Sequence, residues 1–441
     1  MKAIEADWVW TGTELKSGAA VRVDDAGMVV EVGPAQVGDR RERHPGCLLM
    51  PGMVNAHSHA FQRAFRGHVQ WRAAGQSDFW SWRDAMYRTA MGLSPEGVGS
   101  VSRLAFMEMA EAGITSVGEF HYLHHQADGT PYDDPDELAH RVISAALDVG
   151  IRIALLRVVY HRNGAGQALR PDQQRFRDDR PDDALAAVAR LAAHPDPRVT
   201  AGLAPHSVRA VPADWMAELA SFEGPIHAHV SEQPAENEQC LAEHGCSPLQ
   251  VFEAGGILSP RFSAVHLTFP LDGDVQRMVD HGSTVVVCPT TELDLGDGFL
   301  PADARAAALA VGSDSHARID LFEEVRSVEL HARALTGRRC VMAPEDSRHG
   351  LSERLLGIGT SGGARSLGVH SGLSAGSPAD LCLVTLEGPD TLGVPPLEAV
   401  VFGAGPAHVR QVWVGGDPLL EEGRHRYRDA FMCDARPYLI P

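Results

Sequence analysis

Eight short apolar runs, each followed by a polar or amphipathic stretch, recur through the middle of this chain and limit what it can fold into. They are residues 47–54, 115–122, 152–160, 199–205, 225–230, 263–268, 284–289 and 308–313. Each is short and largely apolar, and so reads as a strand buried on both faces. Helix signals lie between them. Ser94-Pro95-Glu96 opens a run through Met107 to Glu111, and Pro181 followed by Asp182 and Asp183 opens residues 181–193. Strands and helices alternating in that number predict an α/β fold, a closed parallel (β/α)8 TIM-type barrel, whose chemistry sits at the C-terminal ends of its strands.

The two ends of the chain have a different texture. Residues 7–11, 20–23 and 29–32 are short alternating segments between Gly, Asp and Lys turns, and 379–385, 399–402 and 409–414 repeat the pattern. The expected architecture is therefore a small β-sandwich domain built from both termini, 1–49 with 372–441, around a catalytic barrel over 50–371. The connection over 60–93 carries Trp71, Trp80, Trp82, Arg83 and Tyr87, and another polar one spans 161–180. Loops of such length over a barrel mouth are often lids, although tryptophans also pack a loop down. The glycine cluster over 357–363 lacks a Walker lysine and reads as a helix start rather than a phosphate cradle.

A formal charge of −19 disfavours nucleic acid and anionic membrane as partners. An anionic substrate would have to be met by locally clustered arginines. No apolar run reaches the length of a membrane span, and the first ten residues do not read as a signal peptide. Seven scattered cysteines point to reduced thiols and a cytoplasmic protein.

The first strand-like run leads into His57-Ser58-His59. Side chains alternate along a strand, so the two imidazoles leave its end on one face, as half a metal site. A His-x-His arises easily by chance among 22 histidines, so its partners decide its meaning. The fifth run carries His227 and His229 with Glu232 just beyond, the sixth ends near His266, and the eighth leads into Asp314. A carboxylate at the end of a buried strand is costly unless it is paired or bound to a cation. Histidines and carboxylates from four strands, all aimed at one barrel mouth, read together as one site able to hold a metal.

This constellation resembles the amidohydrolase superfamily: His-x-His on the first strand, histidines on the fifth and sixth, and an aspartate on the eighth. The segment Gly376-Ser377-Pro378-Ala379-Asp380-Leu381 is similar to that superfamily's entry into its flanking β domain. The resemblance implies one Zn²⁺ per chain, held by His57, His59, His229 and Asp314. A pair of metals bridged by a modified lysine does not fit, because Lys2 and Lys16 are the only lysines and both lie outside the barrel. It further implies catalytic roles for Asp314 as acceptor of a water proton, for His266 as hydrogen-bond donor to the attacked group, and for Glu232 as proton carrier to the departing nitrogen.

A narrower resemblance rests on His57-Ser58-His59-Ala60-Phe61-Gln62-Arg63, Phe79-Trp80-Ser81-Trp82-Arg83, Glu119-Phe120-His121-Tyr122, His206-Ser207-Val208-Arg209 and Thr291-Glu292. It is to the branch that deaminates N-formimidoyl-L-glutamate to N-formyl-L-glutamate and ammonia in histidine degradation. That branch implies a homodimer and a small anionic substrate derived from an amino acid, with Gln62, Arg83, Tyr122, His206 and Arg209 as substrate contacts. His121, His124, His125 and His161 read as supporting or surface residues. The main rival is another deaminase of the superfamily, acting on a purine, pyrimidine or triazine ring. A rival of a different class is a catalytically dead barrel retained as a scaffold.

Overall fold

A computed structural model describes residues 1–70 and 79–439, the side chains of 79–81 excepted. The eight runs become eight parallel strands: β1 (Met53–Ser58), β2 (Ile114–His121), β3 (Arg152–Val159), β4 (Val199–Pro205), β5 (Ile226–Val230), β6 (Phe262–His266), β7 (Thr284–Val287) and β8 (Ala308–Val311). Each pairs with the next in order. The barrel closes between β1 and the segment after β8. There the His59 N–H donates to the Asp314 carbonyl at 3.1 Å, and the Asp314 N–H donates to the His57 carbonyl at 3.0 Å. Ring closure and two of the expected metal ligands therefore coincide.

The helices follow their sequence signals. Helix Pro95–Glu111 begins after Ser94, whose hydroxyl accepts the Gly97 N–H at 3.2 Å, with proline in the first helical position where its missing N–H costs nothing.

Both termini contribute to one further eight-stranded sheet. Strand Lys2–Trp10 runs parallel to Arg40–Pro51, which pairs antiparallel with Leu381–Thr385, and that strand pairs with Val409–Val414. Ile4, Val9, Val21, Leu49, Leu381 and Trp413 form a buried cluster on this sheet.

Three expectations change in detail. The apolar run 47–54 is not one strand. Residues through Pro51 belong to the terminal sheet, and β1 starts at Met53 after a break at Gly52. A Cβ on Gly52 would run into the Thr115 side chain, so the chain crosses from one sheet to the other where only glycine fits. Gly52→Ala is expected to destabilise the fold by about 1–3 kcal/mol, read as a lower midpoint in chemical denaturation. An unchanged midpoint would show that the crossing tolerates a side chain.

Residues 399–402 are helical, within Ala399–Gly403, rather than extended. A short apolar run has no periodicity that tells the two apart, and here Pro395 and Pro396 start a helix that the run continues. The glycine cluster lies inside a helical segment, Gly350–Leu367, and not at its start. A Cβ on Gly362 would meet the Leu309 carbonyl and one on Gly363 the Val54 carbonyl, so the glycines let this helix press onto β8 and β1.

The two long connections are packed where they are described. Trp82 rests on the core with its ring 6.1 Å from Phe65, while Trp71 lies outside the described residues and nothing is stated of the Trp80 side chain. The 161–180 connection is held by Arg175, whose guanidinium donates to the carbonyls of Ala90, Leu93 and His125, and by Asp178, which pairs with Arg157 at 2.6 Å. Among the described residues no helix is long and apolar enough to cross a membrane.

Candidate active site

Strand ends β1, β5 and the segment after β8 bring His57, His59, His229 and Asp314 to one buried point. His57 Nε2 stands 3.1 Å from His59 Nε2, 3.2 Å from His229 Nε2 and 3.3 Å from Asp314 Oδ1, and His59 Nε2 is 3.2 Å from the same oxygen. His59 Nδ1 lies 3.0 Å from the Phe120 carbonyl and His229 Nδ1 3.3 Å from the His206 carbonyl. A carbonyl only accepts, so each Nδ1 carries the proton and each Nε2 turns a lone pair inward. Burial also pulls the His57 pKa down to about 3, against the pull of Asp314, and holds that of His229 well below the ordinary value.

Lone pairs and a carboxylate oxygen facing one another at such distances repel unless a cation lies between them. Nitrogen and oxygen ligands about 2.0–2.1 Å from a tetrahedral zinc ion stand about 3.3–3.4 Å apart, which matches the spacing found here. The donor set therefore fits one divalent ion.

A second group adjoins it. His266, at the end of β6, has Nε2 3.6 Å from Glu232 Oε1 and 3.8 Å from Asp314 Oδ2, with Nδ1 3.4 Å from Glu292 Oε1. Burial disfavours its charge, but the three carboxylates outweigh burial and raise its pKa to about 10. Burial raises Glu232 above the ordinary carboxylate range, and it lifts Glu236 to about 7 and Asp297 to about 9, each helped by the charge of Glu232. The backbone is strained at the same place. Of eight described non-glycine residues with positive φ, five are Ser231, His266, Leu267, Asp314 and His316, at the ends of β5, β6 and β8. Such conformations cost about 1–3 kcal/mol each and persist where the surroundings fix them.

The expected substrate contacts gather on the β1 to β4 side. Gln62 Nε2 donates to the Tyr122 hydroxyl at 3.0 Å, and Gln62 Oε1 is buried without a partner among the described residues. The His206 ring lies 4.8 Å from His229 and 4.9 Å from Tyr160, and Arg209 Nη1 donates to the Tyr160 hydroxyl at 3.2 Å. Arg209 makes no ion pair with a carboxylate among the described residues, although the charge of Glu236 reaches it and the chain carries 58 acidic side chains. Arg83, on helix Phe79–Gly92, shares a cleft with Arg209, Asn163 and Gln167.

His227 turns away, with Nε2 2.8 Å from the Ser366 carbonyl. His124, His125 and His161 each bond a backbone carbonyl, of Val158, Arg177 and Asp178, and so tie down the connections.

Ser58, Glu119 and Glu292 stand in the segments that carry the narrower resemblance, but the sequence does not assign them, or Asn55, Ser313 and His316, a part in supporting the centre. Ser58, between the two β1 histidines, donates to Glu119 at 2.5 Å and sits 3.1 Å from His316 Nε2. Ser313 bonds His316 Nδ1 at 3.1 Å and Asn55 Nδ2 at 2.7 Å. The signal available for Glu119 and Asn55 was a polar side chain in a strand buried along its whole length. Glu292 also accepts the Cys288 N–H at 2.8 Å, which places it to support His266.

A (β/α)8 barrel that gathers three imidazoles and a carboxylate at its strand ends, with further ionisable groups behind them, is the frame of a metal-dependent hydrolase. Comparison with known proteins agrees. The amidohydrolase family pattern matches residues 48–419. Formimidoylglutamate deiminase of Pseudomonas aeruginosa is 36% identical over 417 residues, covering 90% of this chain and 90% of that protein. An amidohydrolase from Brucella melitensis superposes with a TM-score of 0.92 at 32% identity, over 100% of this chain and 99% of that one. An adenosine deaminase from Xanthomonas campestris with bound zinc superposes with a TM-score of 0.84 at 26% identity, over 99% of this chain and 97% of that one. The chain belongs to the amidohydrolase family and is a hydrolase of C–N bonds.

Proposed function

We propose that this enzyme hydrolyses N-formimidoyl-L-glutamate to N-formyl-L-glutamate and ammonia, with one zinc ion held by His57, His59, His229 and Asp314. The observation that carries the substrate class is Arg209, a guanidinium near the centre with no carboxylate partner among the described residues in a chain of net charge −19. A substrate with two carboxylates supplies what that position lacks, because a guanidinium grips a carboxylate through two parallel bonds. The 36% identity to a formimidoylglutamate deiminase supports the same substrate.

A zinc ion held by His57, His59, His229 and Asp314 would supply the Lewis acidity that makes a water nucleophilic near neutral pH. The chain's own residues do the rest. Asp314, with one oxygen toward the imidazoles and the other 3.8 Å from His266, accepts the proton lost by the water. His266, with Nε2 3.6 Å from Glu232 and 3.8 Å from Asp314, donates a hydrogen bond to the attacked imino group. Glu232, whose burial favours the protonated form, delivers a proton to the nitrogen that leaves as ammonia. Arg209, Arg83, Tyr122, Gln62 and His206 hold the substrate. The unpartnered Gln62 oxygen suits an N–H of the linear amidine.

Residues 50–371 form the catalytic unit, and 1–49 with 372–441 a composite β domain. The enzyme acts as a homodimer in histidine degradation in the cytoplasm. A second reading, deamination of an adenosine-type ring, draws on the 26% identity to the adenosine deaminase. It leaves Arg209 without a role.

Arg209→Met tests the substrate. Loss of one partner of a buried charged pair costs at least about 2 kcal/mol, so KM for N-formimidoyl-L-glutamate is expected to rise about 30-fold or more at unchanged zinc content. An unchanged KM would put the carboxylate elsewhere.

A further inference from the structure

Next to Arg209 lies a buried network that none of these roles uses. Gln173, fully buried in the short turn Pro171–Phe176, accepts the backbone N–H of Arg170 on Oε1 at 2.9 Å. Only the amide oxygen can take that bond, so the orientation of the side chain is settled and its NH₂ end faces the opposite way. There Nε2 stands 2.9 Å from Asn163 Oδ1 and 3.1 Å from the phenol oxygens of both Tyr160 and Tyr87. The Tyr160 oxygen is also the acceptor for Arg209 Nη1 at 3.2 Å, and the same Nη1 lies 3.4 Å from the Asn163 carbonyl.

These bonds occupy one corner of the guanidinium. Nε and Nη2 of Arg209 make no hydrogen bond among the described residues. That Nε–Nη2 edge carries two parallel donors, and elsewhere in this chain the same edge grips a carboxylate. Arg152 holds Asp380 through it at 2.6 and 3.1 Å, and Arg190 holds Asp136 at 2.6 and 3.0 Å.

We infer that Tyr160 and Gln173 are positioning residues for the substrate carboxylate. Gln173 fixes the Tyr160 hydroxyl, Tyr160 fixes Nη1 of Arg209, and the Nε–Nη2 edge is thereby kept aligned for an anionic ligand. The selectivity of the enzyme for a carboxylate-bearing amidine then depends on a glutamine in the 161–180 connection. This inference rests on the proposed function, in which Arg209 meets a substrate carboxylate.

The test is steady-state kinetics of the zinc-loaded enzyme with N-formimidoyl-L-glutamate. Tyr160→Phe removes one hydroxyl and keeps the ring. It is expected to raise KM about tenfold, in line with loss of a hydrogen bond to a charged group, with kcat within about threefold and zinc content unchanged. Gln173→Leu shifts KM in the same direction. In an Arg209→Met background, Tyr160→Phe changes KM less than about twofold, because both residues act through one guanidinium. An unchanged KM in Tyr160→Phe overturns the inference. So does a tenfold effect that persists without Arg209, because Tyr160 would then act by supporting the barrel. A wild-type enzyme that releases no ammonia from this substrate defeats the functional reading and the inference with it, a result distinct from loss of the Tyr160 effect alone.

Discussion

Glu232→Gln is expected to keep a full complement of metal and to lose about 10²- to 10⁴-fold in kcat, the range that positioned proton transfer contributes. The replacement preserves size and polarity but removes the group that can carry a proton. Glu232 lies outside the four-residue centre, and its carboxylate stands 3.6 Å from His266, so the change leaves the ligands intact. Burial already favours its protonated form, which is the form needed to protonate a departing nitrogen. Metal analysis beside single-turnover kinetics separates the two quantities. Near-normal turnover would assign the proton delivery to another group.

His229→Ala is expected to fail earlier, at the metal itself. His229 supplies one of four converging donors, and its ring is fixed by the His206 carbonyl. Bound zinc per chain should fall below about a tenth of the wild-type value and activity should fall to background. Binding to the folded state alone stabilises it in proportion to the logarithm of metal concentration over Kd. A chelator should therefore lower the melting temperature of the wild type, with recovery on adding zinc, and leave that of His229→Ala unchanged. A variant that retains one zinc per chain would move the centre away from these residues.

These two sites were legible in sequence because they lie at the ends of buried strands. Continuous apolar runs mark such strands plainly, and a histidine or aspartate closing one stands out against them. The residues behind the centre were harder to see. Ser58 bonds Glu119 and His316 across 61 and 258 residues of chain, and no local pattern records a contact of that span. Gln173 sits in a polar stretch where a glutamine attracts no notice until its neighbours are known.

The fold shows the same division between local and distant information. The strand Arg40–Pro51 extends well before the apolar run that begins at Cys47, over charged residues Arg40 to Arg43 that carry no strand signal. It pairs with Lys2–Trp10 through contacts set by the whole sheet. Residues 399–402 read as extended because four apolar residues carry no period, and packing made them helical.

Ammonia release from the zinc-loaded enzyme, with N-formimidoyl-L-glutamate set beside adenosine, guanine and cytosine, decides the substrate. Stoichiometric ammonia and N-formyl-L-glutamate are expected, with kcat/KM at least about 100-fold above any ring substrate, because a buried charged site then meets a ligand that carries its partner. Preferential turnover of a ring substrate, with formimidoylglutamate untouched, would contradict the proposed function.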